Sequence, residues 1–329
     1  MKKLKIVDFS TLSEEVFNQM FEDLMDYSRF DRVRADKDLS LEEKCELVKD
    51  ADILLSDPVH MNPIPKQIIE STNELKLIQC YSIGFDDIDI DAARERGIPV
   101  ANSAGILSKP IAEYTIMAAL YLLKSIEYAY SELKKGNWVQ QQLMTPPELP
   151  LELGSLTLGI IGCGSIGQEV ARIAGVFGTK ILYNNRKRLD ESIERKLGLE
   201  FSSFKDLLSS SDVLSVNIPL TEETRGLIGS AEMALMKKGA VLINTARGEV
   251  VDVHALAEAV TSGHLRGAAV DVFMNEPDIS GCPLIGLDNV ILTPHSSAIS
   301  QVTLERVAPK VMENLDKVYA GEPPVRVVN

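Results

Sequence analysis

The chain has 329 residues, a formal net charge of −14, 45% hydrophobic and 25% charged residues. That length suits two domains and that composition an ordinary globular protein. The acidic balance argues against a general nucleic-acid or anionic-membrane surface, although it leaves room for a local basic pocket that takes a small anion.

The opening stretch MKKLKIVDFSTLSEE has a short basic start and no long apolar run, so it reads as a first core strand rather than a targeting segment. KIVDF is expected as a strand, and TLSEEVFNQMFEDLMDYSR as a helix with Thr11 and Glu14 spaced as a capping box. A second capping pair, Ser40 and Glu43, opens LEEKCELVKD. DILLS, LKLIQC and IPV follow as strands, with helices near PKQIIEST and DAARERG. Apolar strands alternating with helices predict a mostly parallel sheet covered by helices. A long helix is expected from about residue 110 to 135, with Pro110 in its first turn. Its apolar stretch YTIMAALYLL, bounded by Glu113 and Lys124, is too short to span a bilayer. QQQLMTPPELPLELGS then reads as a surface connection. Cys45, Cys80, Cys163 and Cys282 form no CxxC pair, so free thiols are expected and a metal site is not. A cytoplasmic protein is the expectation.

From Leu156 a second series begins: LTLGIIG, KILYNN, VLSVNI, AVLINTA, GAAVDVF and NVILTP. Six strands of this kind predict a doubly wound nucleotide-binding sheet, followed by a helix over about 300–319. GIIGCGSIGQEVARI places Gly162, Gly164 and Gly167 between an apolar strand and an amphipathic helix, the context a dinucleotide turn requires. Gly162 would allow the tight turn, Gly164 the approach of a pyrophosphate, and Gly167 close packing of the helix on the sheet. Ser165 and Ile166 open the helix whose N-terminus would face the anion. The alternative is a tight turn that binds nothing.

The next strand ends in ILYNNRKR, where an acidic side chain would hydrogen-bond the adenosine ribose of NAD. Asn184 and Asn185 remove the repulsion such an acid would exert on a 2′-phosphate. Arg186 and Arg188 can approach a phosphate as planar, multi-donor cations and Lys187 adds positive charge; Arg186, closest after the strand, is the first choice for the phosphate contact. NADP(H) is therefore expected ahead of NAD(H); the alternative is a solvated turn with incidental cations. Of the four histidines, His60, His254 and His264 sit in a proline-rich loop, a helix and a turn. His295 follows NVILTP at the carboxyl end of a parallel strand, where ligands bind in such sheets. Asp271 and Glu276 in DVFMNEP, and Arg247 in NTARG, follow strand ends as well. Spacing alone does not prove that they converge.

Taken together and in this order, SIGFDDID at 82–89, NSAG at 102–105, the glycine turn, NIPLTEETRGLI at 217–228, NTARGEVVD at 244–252, AAVDVFMNEP at 268–277 and LTPHSSAIS at 292–300 resemble the D-isomer-specific 2-hydroxyacid dehydrogenases along nearly the whole chain. The resemblance implies an α/β protein of two doubly wound parallel-sheet domains. A Rossmann-type cofactor domain, 102–298, would be inserted in a flavodoxin-like substrate domain formed by 1–101 and 299–329. It also implies a homodimer through cofactor-domain helices and an active site that closure between the domains shields from water. By the same resemblance Arg247 holds the substrate carboxylate and polarises the carbonyl, His295 is the acid/base, and Glu276 orients it and favours its protonated form. Ser82, Ile83 and Gly84 would hold the substrate carboxylate, with Asn102 shaping the entrance. Asp271 would contact the nicotinamide amide. Ile218, Pro219, Thr245 and Ala246 would line the cofactor, and Ser108 would lie near it.

Three departures, Asp86–Asp87 for the more usual Asp-Asn, Ala104 for proline and Ser297 for glycine, bear on substrate choice rather than on the three catalytic candidates. The cationic turn is similar to that of glyoxylate/hydroxypyruvate reductases, so reduction of those small 2-oxo acids is the leading expectation. The alternatives are an NAD-dependent dehydrogenase of another 2-hydroxy acid and a cofactor-sensing scaffold of the corepressor type. Phosphoglycerate oxidation would call for an appended regulatory domain, and formate oxidation for a glutamine where this chain has Pro294.

Overall fold

The structure, a computed structural model, describes residues 2–329. The chain forms two compact units, one running to Leu107 and including Ile299–Asn329, the other Ser108–Ala298. The first crossing thus falls at 107/108 rather than at the expected 101/102. Backbone bonds hold the intervening segment in the first unit: Asn102 N–H donates to Arg326 O at 3.2 Å, and Ser103 N–H to Ser82 O at 2.9 Å.

The first unit is built on β1 (Leu4–Asp8), β2 (Phe30–Arg34), β3 (Ile53–Leu55), β4 (Leu77–Gln79) and β5 (Val100–Ala101). All pair in parallel in the order β2-β1-β3-β4-β5, the flavodoxin-like arrangement. Strand β2 was not expected, because FDRVR carries too much charge to read as a core strand. It lies at the sheet edge, where Arg32 stacks 3.5 Å over the Phe17 ring and pairs with Asp8 at 2.8 Å. The helix expected over 11–29 is shorter, Glu14–Phe21, and its cap is Ser13, which accepts the Val16 N–H. Thr11, the expected cap, donates its hydroxyl to Asp57 instead. The Ser40–Glu43 capping box forms as expected. The last helix, Gln301–Tyr319, returns to this sheet: its fully buried Asn314 donates to Gln79 Oε1 at 2.7 Å.

The second unit carries β6 (Thr157–Ile161), β7 (Lys180–Asn184), β8 (Leu199–Phe201), β9 (Val213–Val216), β10 (Ala240–Asn244), β11 (Leu265–Val270) and β12 (Val290–Leu292). Their order is β12-β11-β10-β9-β6-β7-β8, all parallel. Short β8, with two of its three residues exposed, is the strand that apolar patterning missed. One face packs Ile160, Val241, Ile243 and Ala269 against Ala112, Ile116, Ala119 and Leu123; the other packs Leu214, Leu242 and Ala268 with Leu207 and Leu256. The helix expected over 110–135 breaks at Ser125, whose φ of +50° ends one segment, Ser108–Leu123, before the next, Ile126–Lys134. Chain order reverses around β6, with β7 on one side and β9 on the other. A parallel sheet collects its loops at the carboxyl ends of its strands, and a reversal opens a crevice between them. The loops after β6, β9, β10, β11 and β12 therefore share one edge. No helix of the described residues is long and apolar enough to cross a membrane.

Candidate active site

The glycine turn shows why each glycine is needed. Gly162 has φ +86°, and a Cβ there would lie 2.5 Å from Asn217 O and 2.7 Å from Ile218 Cγ2. A Cβ on Gly167 would lie 2.5 Å from Gly162 O, so the helix Ser165–Val176 can press on the turn only without a side chain. Overpacking of this kind costs about 1–3 kcal/mol. Gly164 faces open space within 4 Å, and as N-cap it supplies no side-chain cap to that helix. The first N–H groups of the helix are thus left for an anion.

Beyond β7 the expected cofactor residues divide. Asn184 donates its amide to Ser202 O at 2.8 Å, across to the β8 side. Asn185, on the opposite face of the extended chain, accepts the Cys163 N–H at 2.6 Å and so braces the glycine turn. Arg188 is held by Glu194 through two bonds, at 2.8 and 2.9 Å. Arg186 and Lys187 are exposed and, among the described residues, make no hydrogen bond or ion pair.

The loop after β10 is shaped by Asn244, which accepts the Ala246 N–H at 3.0 Å and donates to Arg247 O at 2.9 Å. Arg247 Nη1 donates to Ala246 O at 2.7 Å. A Cβ on Gly248 would fall 2.3 Å from Phe273 C, so this glycine lets the Arg247 loop lie directly against the loop after β11. That second loop bends back on itself: Glu276 Oε1 accepts the Phe273 N–H at 2.6 Å. Its Oε2 meets His295 Nδ1 at 2.7 Å, with the two side chains 22% and 24% exposed. Burial alone would raise the Glu276 carboxyl. The His295 bond and charge, the Phe273 N–H and the charge of Arg247 outweigh it and leave the group below its ordinary value. An ionised Glu276 accepts from Nδ1–H, which fixes the histidine tautomer.

His295 itself has φ +51°, a left-handed conformation uncommon outside glycine, which persists only where its surroundings enforce it. The enforcement comes from Asp271. Its carbonyl accepts the His295 N–H at 2.8 Å. Its fully buried carboxylate accepts Thr293 Oγ1 at 2.6 Å, Ser296 N–H at 2.8 Å and Ser297 N–H at 3.0 Å. With its one proton on Asp271, Thr293 must accept at 2.7 Å from Tyr114. The family resemblance gave Asp271 to the cofactor amide; its carboxylate also bonds the histidine loop.

Residues 116–297 match the family model for the D-isomer specific 2-hydroxyacid dehydrogenase NAD binding domain. Over 264 residues the chain is 40% identical to a glyoxylate reductase of Aeropyrum pernix, covering 80% of this chain and 78% of that protein. The chain belongs to the D-isomer-specific 2-hydroxyacid dehydrogenase family. Two solved structures of that likeness are a D-lactate dehydrogenase from Aquifex aeolicus complexed with NAD and lactic acid, and an acyclic imino acid reductase in complex with NADPH and D-Arg. The first shares 29% identity at a TM-score of 0.83, covering 96% of each chain. The second also shares 29% at 0.83, covering 99% of this chain and 100% of that one.

As a 2-hydroxyacid dehydrogenase, the protein is an NAD(P)-type oxidoreductase, and its residues fit such a cofactor. Among the described residues, Thr245 Oγ1, Asn217 Oδ1 and Ser108 Oγ are buried without a hydrogen-bond partner, and Gly164 with its uncapped helix leaves room for a pyrophosphate. Ile218 touches the glycine turn, and Pro219 follows it. In the first unit, Ser82, Ile83 and Gly84 form the turn after β4: Ser82 Oγ donates to Gly84 O, and Asn102 Nδ2 to Ile83 O at 2.7 Å. His60, also at positive φ, pairs with Asp87 at 2.7 Å, which gives a role to one of the departures from the family pattern. Asn185, Asn244, Thr293 and Tyr114 were missed as supporting residues. For Asn185 the signal was present, since alternate residues of an extended chain face opposite ways.

Proposed function

We propose that the protein reduces small 2-oxo acids, glyoxylate and hydroxypyruvate first, to D-2-hydroxy acids, with NADP(H) preferred over NAD(H). The observation that carries the chemistry is the His295–Glu276 pair, 2.7 Å apart on loops that follow β12 and β11. A nicotinamide cofactor held at the glycine turn, 162–167, would supply the hydride that reaches the keto carbon. His295 gives a proton from Nε2 to the developing alkoxide, while Glu276 holds Nδ1 and stabilises the imidazolium. Arg247 binds the substrate carboxylate and polarises the carbonyl, with Ser82, Ile83, Gly84 and Asn102 as further substrate contacts. Asp271 keeps the histidine loop in place. The relative from Aeropyrum pernix, a glyoxylate reductase, supports the substrate class.

Cofactor preference rests on Arg186 and Lys187, both exposed, and on the absence of an acid at 184–188. Initial rates with glyoxylate, hydroxypyruvate, pyruvate and bulkier 2-oxo acids, each with NADPH and with NADH, test both parts. Wild type should favour NADPH, and Arg186→Gln should raise KM for NADPH about ten- to 150-fold with that for NADH unchanged, one charge-assisted phosphate contact being worth roughly 1.5–3 kcal/mol. Equal use of the two cofactors by wild type would reject the preference. Activity confined to bulky oxo acids would reject the substrate.

A homodimer is part of the same reading. Met117, Ile126, Tyr130, Leu133 and Trp138 are exposed on or just after the helices Ser108–Leu123 and Ile126–Lys134, a density of apolar side chains suited to a partner copy. Sedimentation should give twice the chain mass, and Leu133→Asp should lower it; a monomeric wild type at micromolar concentration would sink this part. The free cysteines suit a reducing, cytoplasmic setting.

A further inference from the structure

The turn after β7 contains a closed set of bonds that the chemistry above does not use. Tyr183, fully buried, donates its hydroxyl to Glu194 Oε1 at 2.6 Å and accepts the Leu189 N–H at 2.9 Å. Arg188 grips the same carboxylate with Nε and Nη2. The Tyr183 ring meets Phe201 of β8 edge-on at 5.4 Å, and the Arg188 guanidinium lies 5.8 Å from that Phe201 ring. The far end of the 185–190 segment is therefore tied to the helix Glu191–Leu197, and its near end to the glycine turn through Asn185.

We propose that Tyr183, Arg188 and Glu194 are positioning residues for cofactor choice: they fix the course of the 185–190 segment so that Arg186 and Lys187 meet the 2′-phosphate, while Arg188 does not touch it. This rests on the NADP(H) reading above. A guanidinium that makes a two-pronged bond to a carboxylate cannot present the same fork to a phosphate. Turning it away would strand Glu194, whose side chain is only 9% exposed. The bonds from Arg188 and Tyr183 hold the Glu194 carboxyl down to about 2, so the pair stays ionised and its charges cancel. The attraction on a 2′-phosphate then comes from two cations rather than three. A segment tied at both ends keeps those cations in place before the ligand arrives, which reduces the ordering required on binding.

Calorimetric binding of adenosine 2′,5′-bisphosphate and of 5′-AMP isolates the phosphate contact from turnover. Tyr183→Phe changes no charge, and Arg188→Lys keeps the charge but loses the fork. Each should weaken the bisphosphate about five- to tenfold, with AMP within about twofold, as expected for the loss of a hydrogen bond or two. The double variant Arg188→Gln/Glu194→Gln removes both charges of the pair together and so leaves the net charge of the turn unchanged; it should weaken the bisphosphate no more than Arg188→Lys does, because the role of Arg188 runs through that carboxylate. A clearly larger loss of bisphosphate affinity in the double variant would make Arg188 a direct ligand and overturn the proposal. Equal weakening of both probes would reduce the set to plain structural support and overturn it too. Should Tyr183→Phe fail to fold, the Arg188 variants decide, since that side chain is 61% exposed. A wild type that binds the bisphosphate no better than AMP would instead remove the NADP(H) reading itself, and the proposal with it.

Discussion

His295→Asn is expected to lower kcat for 2-oxo acid reduction by about 10²–10⁴-fold, the usual worth of a positioned general acid. Asparagine retains polarity but has no proton to exchange near neutral pH, so cofactor affinity should stay within about twofold. The companion variant Glu276→Gln should lose less and show a change in pH dependence. The carboxylate of Glu276, held below its ordinary value, is charged throughout the neutral range and favours imidazolium. Its support disappears only as the pH falls through that lowered value. In the glutamine variant it is absent at every pH, so the fall in rate that accompanies protonation of Glu276 on the acid side should be missing. Steady-state rates across pH for the three proteins check this. A His295→Asn protein with wild-type kcat would mean that another group donates the proton.

Arg247→Lys should lower kcat/KM for glyoxylate by about 10²–10³-fold, the range seen when a donor to a developing oxyanion is removed. Lysine keeps the charge but has neither the planar fork nor the reach to contact carboxylate and carbonyl together. Binding of NADPH, measured by fluorescence, should be unaffected. A lysine variant with undiminished kcat/KM would show that charge alone suffices and that two-pronged recognition plays no part.

The sequence revealed most where period and position agreed. The apolar strands of the second unit were legible because they are buried on both faces. The glycine turn was legible because three glycines had distinct steric duties. The charged edge strand β2 and the short, half-exposed β8 were not, since their places come from pairing rather than from hydrophobicity. Site residues followed the same rule. His295, Glu276 and Arg247 could be named from strand ends and motif, but the duties of Arg188 and Asp271 depended on partners such as Glu194, Ser296 and Ser297 that no local pattern discloses.

Arg247, Glu276 and His295, together with the Asn244 and Asp271 braces, all come from residues 244–297 of the second unit. On the proposed reading, the acid/base machinery is one contiguous block of chain. Substitutions in the first unit, among them the Asp87 that pairs with His60, can accumulate without touching any side chain of that block's internal bonding. Exchanges in the first unit can therefore alter what surrounds the substrate and leave the bonds among Arg247, Glu276 and His295 as they are, with Ser297 the exception inside the block.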